Sequence, residues 1–317
     1  GLSLLPSTSQ TFNFTVQYNM IGNSSLYAYI NSVNGVLDNA QINDTTNVEN
    51  LCVSMSGAYT LNPAAPVSAT NFQSFTALAA TLSCGGVTGP VTVDVAAGSA
   101  PFNEQVSFGA ISGASFTNTI TINGNNNTLT FPSGSEYHTL RLNGADNMTW
   151  NNLNINTTGT ATGFALNVMN ASNFNNFNNC TFTVPPSATA TSTSCVAFSG
   201  SSSTINTAGN NGNNNTFTGC TMSGGYYCIS VYGLSTGNIV GNTFVNCTIK
   251  EYYVYGLYNV YGGTTIVRDC IFERPTRASV STGYGVYLST SSSGCLIERN
   301  RVRNMFGGSP SSTSTCY

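Results

Sequence analysis

Residues 241–250 read GNTFVNCTIK, and a six-residue pattern within this stretch recurs through the second half of the chain. The pattern is an apolar residue, two polar residues, a Cys or its equivalent, one further residue and a second apolar residue. Successive copies start 27, 40, 27, 23 and 30 residues apart. The copies are WNNLNI (150–155), FNNCTF (177–182), FTGCTM (217–222), FVNCTI (244–249), VRDCIF (267–272) and IERNRV (297–302).

A second alternating segment follows each of the first five copies. A period of roughly 22–30 residues with two or three short strands is typical of a parallel β-helix. We therefore predict an all-β fold, a right-handed parallel β-helix over residues 51–317, with a loop insertion at about 184–215, where the spacing rises to 40. The second segments are GFALNV (163–168), CVAFSG (195–200), CISVYG (228–233), GLYNVYG (256–262) and GVYLST (285–290).

Stacked coils place equivalent residues of successive copies above one another, about 4.8 Å apart. The fourth position then forms an inward column of cysteines, and the sixth position forms an inward apolar column beside it. We favour buried thiols for the cysteine column, with disulfides between adjacent coils as the alternative. The stacked pair Cys195 and Cys228 has the same two alternatives. The column consists of Cys180, Cys220, Cys247 and Cys270.

The composition is low in charge and rich in residues that favour β-structure. Charged residues make up 6% of the 317 residues, hydrophobic residues 40%, and the net charge is −3. This gives no basic footprint for nucleic acid, and no apolar run reaches the roughly 18–20 residues of a membrane span. The ten cysteines lack metal-binding spacings, and His138 is the single histidine. We predict an extracellular or cell-surface location, no metal site and no cofactor.

The two ends of the predicted β-helix differ. Residues 70–82, TNFQSFTALAATL, have apolar residues at helical spacing, with Thr70 or Asn71 as the N-cap. We expect this helix to cover the first coil, fixed by a disulfide between the flanking Cys52 and Cys84. No comparable segment follows the last copy, so we expect the protein to continue beyond residue 317, or the open end to meet a partner.

Residues 1–50 have a different pattern from the rest of the chain. They alternate like antiparallel strands, which predicts the last strands of a β-sandwich-like domain or a strand pair that awaits a partner. The stretch YAYINSVNGVLDNAQINDTTN (27–47) resembles the end of an adhesion-type sandwich domain. Residues 56–127, with SGAYTLNP, FQSFTALAATL and CGGVTGPVTVDV, resemble the start of β-helix domains in large secreted surface proteins of the Bacteroidetes. This resemblance implies adhesin-like proteins exported by the type IX route, and it carries over no catalytic residues.

Pectate lyases and polygalacturonases share the β-helix fold and use clustered carboxylates for calcium or for acid/base chemistry. The main charge cluster here spans KE at 250–251, RDCIFER at 268–274 and ERNRVR at 298–303. The predicted register alternates the sign of charge in every column, which favours a structural salt-bridge ladder over a catalytic cluster. The columns are Arg268 with Glu298, Asp269 with Arg299, Lys250 with Glu273 and Arg303, and Glu251 with Arg274.

Two hypotheses of function follow. The first is a non-catalytic structural or adhesive module of a surface or filamentous assembly, with other copies, other surface proteins or glycans as partners. The second is a carbohydrate-active enzyme, a polysaccharide lyase or hydrolase, with Asp269, Glu273, Glu298 and Arg268 as its residues; His138 with Glu136 and Arg141 is a weaker candidate group.

Tyrosines concentrate in the last third of the chain, and Tyr258 and Tyr287 fall at the same outward position of successive coils. With Tyr255 and Tyr284 they form a predicted contact surface for sugar rings or a partner protein. Simple stacking between coils, which would only stabilise the sheet, is an equally good interpretation.

Overall fold

A computed structural model describes residues 24–27, 32–33, 36–37, 49–237, 239–290 and 292–317. The chain forms two compact units, Gly1–Val53 and Ser54–Tyr317. In the first unit two antiparallel strand pairs are described, Ser24–Leu26 with Glu49–Leu51 and Ser32–Val33 with Val36–Leu37. The rest of the sandwich-like segment predicted over residues 1–50 lies outside the described residues.

The second unit is a parallel β-helix whose coils contribute strands to three long sheets. Sheet 1 contains Asn71–Phe72, Met55–Leu61, Val87–Val95, Ile120–Asn123, Met148–Asn151, Asn176–Asn178, Thr216–Thr218, Thr243–Val245, Ile266–Arg268 and Leu296–Glu298. Sheet 2 contains Phe102–Asn103, Thr128–Phe131, Asn154–Thr157, Thr181–Thr183, Thr221–Ser223, Thr248–Lys250, Ile271–Glu273 and Arg301–Arg303. Sheet 3 contains Val106–Gly109, His138–Asn143, Thr162–Met169, Ser192–Phe198, Tyr227–Tyr232, Tyr255–Val260 and Tyr284–Leu288. A short parallel pair, Ile239–Val240 with Gly262–Gly263, lies outside these sheets.

The repeated pattern is the corner at which a sheet 1 strand passes into a sheet 2 strand. Its first residue points inward, and the rings of Trp150, Phe177, Phe217 and Phe244 stack in one column with centroids 4.8–6.2 Å apart. Its third residue has a left-handed backbone with φ between 51° and 64° in every copy. Asn, Gly and Asp tolerate that conformation best, which explains why they fill five of the six turns and why Arg299 is unusual.

Inside the coils, polar residues are held in hydrogen-bonded ladders. The side-chain oxygen of Asn215 accepts bonds from the backbone and side-chain nitrogens of Asn175, both 3.0 Å long. In the next coil the side-chain oxygen of Asn242 accepts from the backbone and side-chain nitrogens of Asn215 at 3.0 and 3.1 Å. A second ladder, in which Asn151 links Asn123 and Asn178, runs along the outer face of sheet 1. A chain with few charges thus satisfies its buried backbone with amides.

The helix starts later than predicted. It spans Phe75–Gly85, because Asn71–Phe72 pairs as a strand with the end of Met55–Leu61 and Ser74 is the N-cap, accepting from the Ala77 nitrogen at 3.0 Å. The carboxylate of Glu104 also accepts from the Phe75 and Thr76 nitrogens at 3.2 and 2.8 Å, which places a negative charge at the helix N-terminus. Among the described residues, no helix is long and apolar enough to cross a membrane.

The structure differs from the prediction in the loop insertion and at the last residue of the inward apolar column. The insertion predicted at 184–215 is two loops, because Ser192–Phe198 between them is a full strand of sheet 3. The inward apolar column is buried at Phe182, Met222, Ile249 and Phe272, but Val302 in the last coil is 52% exposed. No further described coil lies above Val302 to cover it.

Candidate functional site

The charge cluster on the last two coils is largely paired, as the register predicts. Asp269 accepts two hydrogen bonds from Arg299, 2.7 and 2.8 Å long, and the Arg303 Nε atom lies 2.8 Å from Glu273. The guanidinium group of Arg268 lies 3.9 Å from the carboxylate of Glu298, and that carboxylate also accepts a hydrogen bond from Arg299 at 3.1 Å. The bidentate bond from Arg299 lowers the pKa of Asp269, so this carboxyl group stays ionised and is a poor proton donor.

One predicted column is wrong. Arg274 does not pair with Glu251; it lies buried inside the coils, donating to the backbone oxygens of Met305, Tyr253 and Ser281 at 3.0–3.1 Å. Glu251 instead accepts from Thr276 at 2.9 and 3.0 Å. Both residues directly follow a sheet 2 strand and are buried, but Glu251 has a left-handed backbone, with φ 56°, and Arg274 does not, so their side chains leave equivalent positions in different directions.

Lys250 lies in register with Glu273, as predicted, but forms no ion pair with it within 4.0 Å in the part of the chain that the structure describes. The strong partner of Glu273 is Arg303. The ladder is therefore made of separate pairs across one coil boundary, and not of a continuous column of alternating charge.

His138, Glu136 and Arg141 do form a cluster. Arg141 binds both carboxylate oxygens of Glu136 and lies 3.1 Å from the His138 ring nitrogens. Burial, and then the charge of Arg141, lowers the pKa of His138 to about 4. The hydrogen bond from Arg141 lowers the pKa of Glu136. At neutral pH the histidine is uncharged and the carboxylate is fully engaged, which is the arrangement of a structural cluster.

The cysteine column contains free thiols, as favoured. Each thiol donates a hydrogen bond to a backbone oxygen in the preceding coil, that of the first residue of the repeated pattern. The Cys220 sulfur lies 3.2 Å from the Phe177 oxygen, and the Cys247 sulfur lies 3.4 Å from the Phe217 oxygen. At the last coil the amide of Asn300 donates to Val267 in the same way at 2.8 Å. The column's function is thus to satisfy one carbonyl oxygen per coil.

Cys195 and Cys228 are also free thiols, with sulfurs 3.8 Å apart, so the disulfide considered for them is not formed. Cys52 and Cys84, the two cysteines of the predicted bridge, are both disulfide-bonded. Among the described residues, no group of three or more His, Cys, Asp or Glu side chains is arranged to hold a metal ion.

The tyrosines form two columns on the outer face of sheet 3. In the first, Tyr227, Tyr255, Tyr284 and Tyr317 stack with ring centroids 5.2 Å apart and planes within 16° of parallel. In the second, Tyr258 and Tyr287 stack at 5.4 Å and 12°. The two columns also contact each other, since Tyr284 meets Tyr287 edge to face at 5.3 Å. We call these six residues the tyrosine face.

Stacking within each column covers the ring faces that a sugar would need. The tyrosine face therefore presents mostly ring edges and hydroxyl groups to its surroundings. Its lower end is closed by the loop after Ser192–Phe198, where Asn206 donates to the Tyr227 hydroxyl at 3.0 Å and accepts from Ser230 at 3.0 Å. Coil-to-coil stabilisation and contact with a hydrogen-bonding partner both fit this geometry.

Phe116 and Phe174 are not among the residues predicted from the sequence. Their rings meet edge to face at 4.8 Å beside a surface cleft of about 210 Å³ on the outer side of sheet 1. A signal was present: in the turn before the sheet 1 strands, Phe174 occupies the position at which the two neighbouring coils have Asn147 and Asn214.

The fold and surface together define a parallel β-helix protein with paired surface charges and stacked tyrosines. No family model and no curated protein matches the sequence. Among solved structures the chain is similar to pectate lyase Pel9A, with 13% identity over 78% of this chain and 80% of that chain, and a TM-score of 0.42. The assignment of the fold rests on the strand register of this chain itself.

Proposed function

We propose that this chain is a non-catalytic extracellular module that serves adhesion or assembly at a cell surface. The observation that carries the proposal is that each described acidic side chain of the β-helix is engaged by a partner in the fold. Three pair with arginines across the last coil boundary, and Glu136 pairs with Arg141. The others cap a helix or accept from Asn and Thr groups: Glu104, Asp94, Asp146 and Glu251.

Contact with the partner is assigned to the tyrosine face. Tyrosine combines a large apolar ring with a hydroxyl group and loses little conformational entropy on binding, so it suits recognition surfaces. Here the rings are already fixed by stacking, which lowers the entropy cost further. Partners that offer hydrogen-bonding groups at regular intervals, such as surface glycans or another copy of the chain, suit this array of hydroxyl groups.

The location proposed is outside the cell, on a protein like the large surface proteins of the Bacteroidetes that use type IX export. The disulfide-bonded Cys52 and Cys84 support an oxidising compartment. The buried thiols do not argue against it, because burial protects them from oxidants.

Assays of cleavage and of binding test the proposal together. The chain is incubated with a panel of acidic and neutral polysaccharides, and products are measured alongside binding to glycan-coated surfaces and whole cells. We expect no cleavage, and binding that is lost in the Tyr258→Ala/Tyr287→Ala double variant but kept in Thr181→Ala, a matched change on the outer face of sheet 2. Robust cleavage that Asp269→Asn abolishes would overturn the proposal in favour of a lyase or hydrolase.

A further inference from the structure

The cleft beside Phe116 and Phe174 lies on the outer side of sheet 1, whereas the tyrosine face lies on sheet 3. Its volume of about 210 Å³ is below the roughly 300–1,000 Å³ of pockets for drug-sized ligands, so it suits a single ring. The residues that line it are aromatic, amide-bearing or hydroxyl-bearing, and none is charged.

The aromatic wall has two features that packing does not explain. Phe116 is 73% exposed and Phe174 is 38% exposed, whereas ten of the other thirteen phenylalanines of the β-helix are buried and three are half-buried. The pair is nevertheless ordered by its edge-to-face contact at 4.8 Å. A fixed aromatic pair at the surface leaves ring area free to meet a ligand, unlike the stacked rings of the tyrosine face.

Phe174 also has a left-handed backbone, with φ 56°. The strand register aligns this position with Asn147 and Asn214, which have φ 57° and 56°, and with Gly241 at 73°. Thr264, one coil beyond Gly241, adopts the same conformation with φ 49°. Asn and Gly tolerate it best, and a bulky aromatic residue such as Phe174 is an outlier there. Strain of this kind clusters at functional sites, although Tyr261 has it as well, with φ 54°, so the exposure of Phe174 at the cleft carries the argument together with it. An exposed and strained phenylalanine at a cleft is most simply explained by a ligand that it contacts.

The polar wall is unsatisfied within the fold. The amide groups of Asn147, Asn176 and Asn214 form no side-chain hydrogen bond with any other described residue, in contrast to Asn175 and Asn215 immediately after the turn. Each amide offers both donors and an acceptor to a ligand. The hydroxyl groups of Thr119 and Thr149 also line the cleft.

We propose that this cleft binds one pyranose ring of a neutral glycan. The apolar C–H face of the sugar packs on Phe116 and Phe174, and the sugar hydroxyl groups bond to the three asparagine amides. Neutrality follows from the lining, which offers no cation to an acidic sugar. The site goes beyond the proposed function, because it is a second contact surface, separate from the tyrosine face, that takes a single sugar ring.

The test uses the whole chain and the methyl glycosides of glucose, galactose, mannose and N-acetylglucosamine, with glucuronate as the charged comparison. Saturation-transfer NMR and titration measure binding, which for one ring should be about millimolar. We expect at least one neutral glycoside to bind, and binding to fall at least about tenfold in Phe116→Ala and Phe174→Asn. The second variant introduces the residue type that the neighbouring coils already carry in this turn, so the fold should be kept.

The controls separate this site from the proposed function. Tyr258→Ala should leave sugar binding unchanged, and Phe174→Asn should leave cell binding through the tyrosine face unchanged. Sugar binding that survives both phenylalanine variants, preference for glucuronate, or no binding by any neutral glycoside would each overturn the assignment of the cleft. If no neutral glycoside binds but cell binding is lost only in the tyrosine variants, the assignment of the cleft is refuted and the proposed role of the tyrosine face is kept.

Discussion

Replacement of Asn215 by alanine tests the buried asparagine ladder most directly. The side chain of Asn215 is fully buried, accepts from the Asn175 backbone nitrogen at 3.0 Å and donates to the Ser172 oxygen at 2.9 Å. Asn215→Ala leaves both of these backbone groups without another hydrogen-bond partner among the described residues. An unsatisfied buried group costs about 1–3 kcal/mol, so the variant should lose about 3–5 kcal/mol of unfolding free energy once the lost side-chain bonds are included.

The outer ladder supplies the control. Asn151 has the same linking role, donating to Asn123 at 2.9 Å and accepting from Asn178 at 3.0 Å, but on a half-buried outer face where water can replace it. Asn151→Ala should therefore cost less than about 1 kcal/mol. Urea unfolding followed by the fluorescence of Trp150, the only tryptophan, measures both variants. Equal losses, or a loss below about 1 kcal/mol for Asn215→Ala, would refute the idea that burial makes the inner ladder essential.

Three further predictions concern single groups. His138 is the only histidine, and the fold lowers its pKa from the ordinary 6.5 to about 4. Its contribution to the free energy of unfolding is therefore complete above pH 6.5, and up to about 3 kcal/mol is lost as the pH falls towards 4. Thermal unfolding across this pH range should show a weaker pH dependence in His138→Gln. Of eight free thiols only Cys295 and Cys316 are partly exposed, so a thiol reagent should label at most these two in the native chain and all eight after unfolding, and rapid native labelling of Cys220 would contradict the packing. Glu104→Gln should lower stability by about 1–2 kcal/mol in urea unfolding, because the helix loses a charged acceptor at its N-terminus, and an unchanged midpoint would show that Ser74 suffices.

The strand register could be predicted because the repeated pattern is short and fixed by a backbone requirement. Its third residue must adopt a left-handed conformation, so Asn, Gly or Asp marks the same corner in successive coils, and the inward residues follow at constant distances. Arg268 with Glu298 and Tyr258 with Tyr287 were aligned correctly for this reason.

The errors fall where this periodicity ends. The helix start was missed because Asn71–Phe72 closes a strand pair, a contact between residues 11 apart that helical spacing does not reveal. Arg274 was paired with Glu251 because the register of the strands Thr248–Lys250 and Ile271–Glu273 was continued one residue beyond their ends, where Glu251 but not Arg274 has a left-handed backbone. The cleft at Phe174 was overlooked because it lies in a turn, where an aromatic residue looks like an ordinary interruption of the pattern.

The placement of charge along the β-helix has an energetic reason. The pairs of Arg268, Asp269 and Glu273 all cross the boundary below the last described coil, where Val302 and its neighbours are not covered. In the middle coils each boundary is stabilised by buried rings, thiols and amides. Exposed ion pairs contribute only about 0.2–1 kcal/mol each, so three of them cannot replace the burial of even two large apolar side chains. The ion pairs do fix the strand register without adding exposed apolar surface. A coil shifted by one residue would lose these pairs of opposite charge, so the shifted register is disfavoured. The charges are therefore best understood as fixing the alignment of the last described coil.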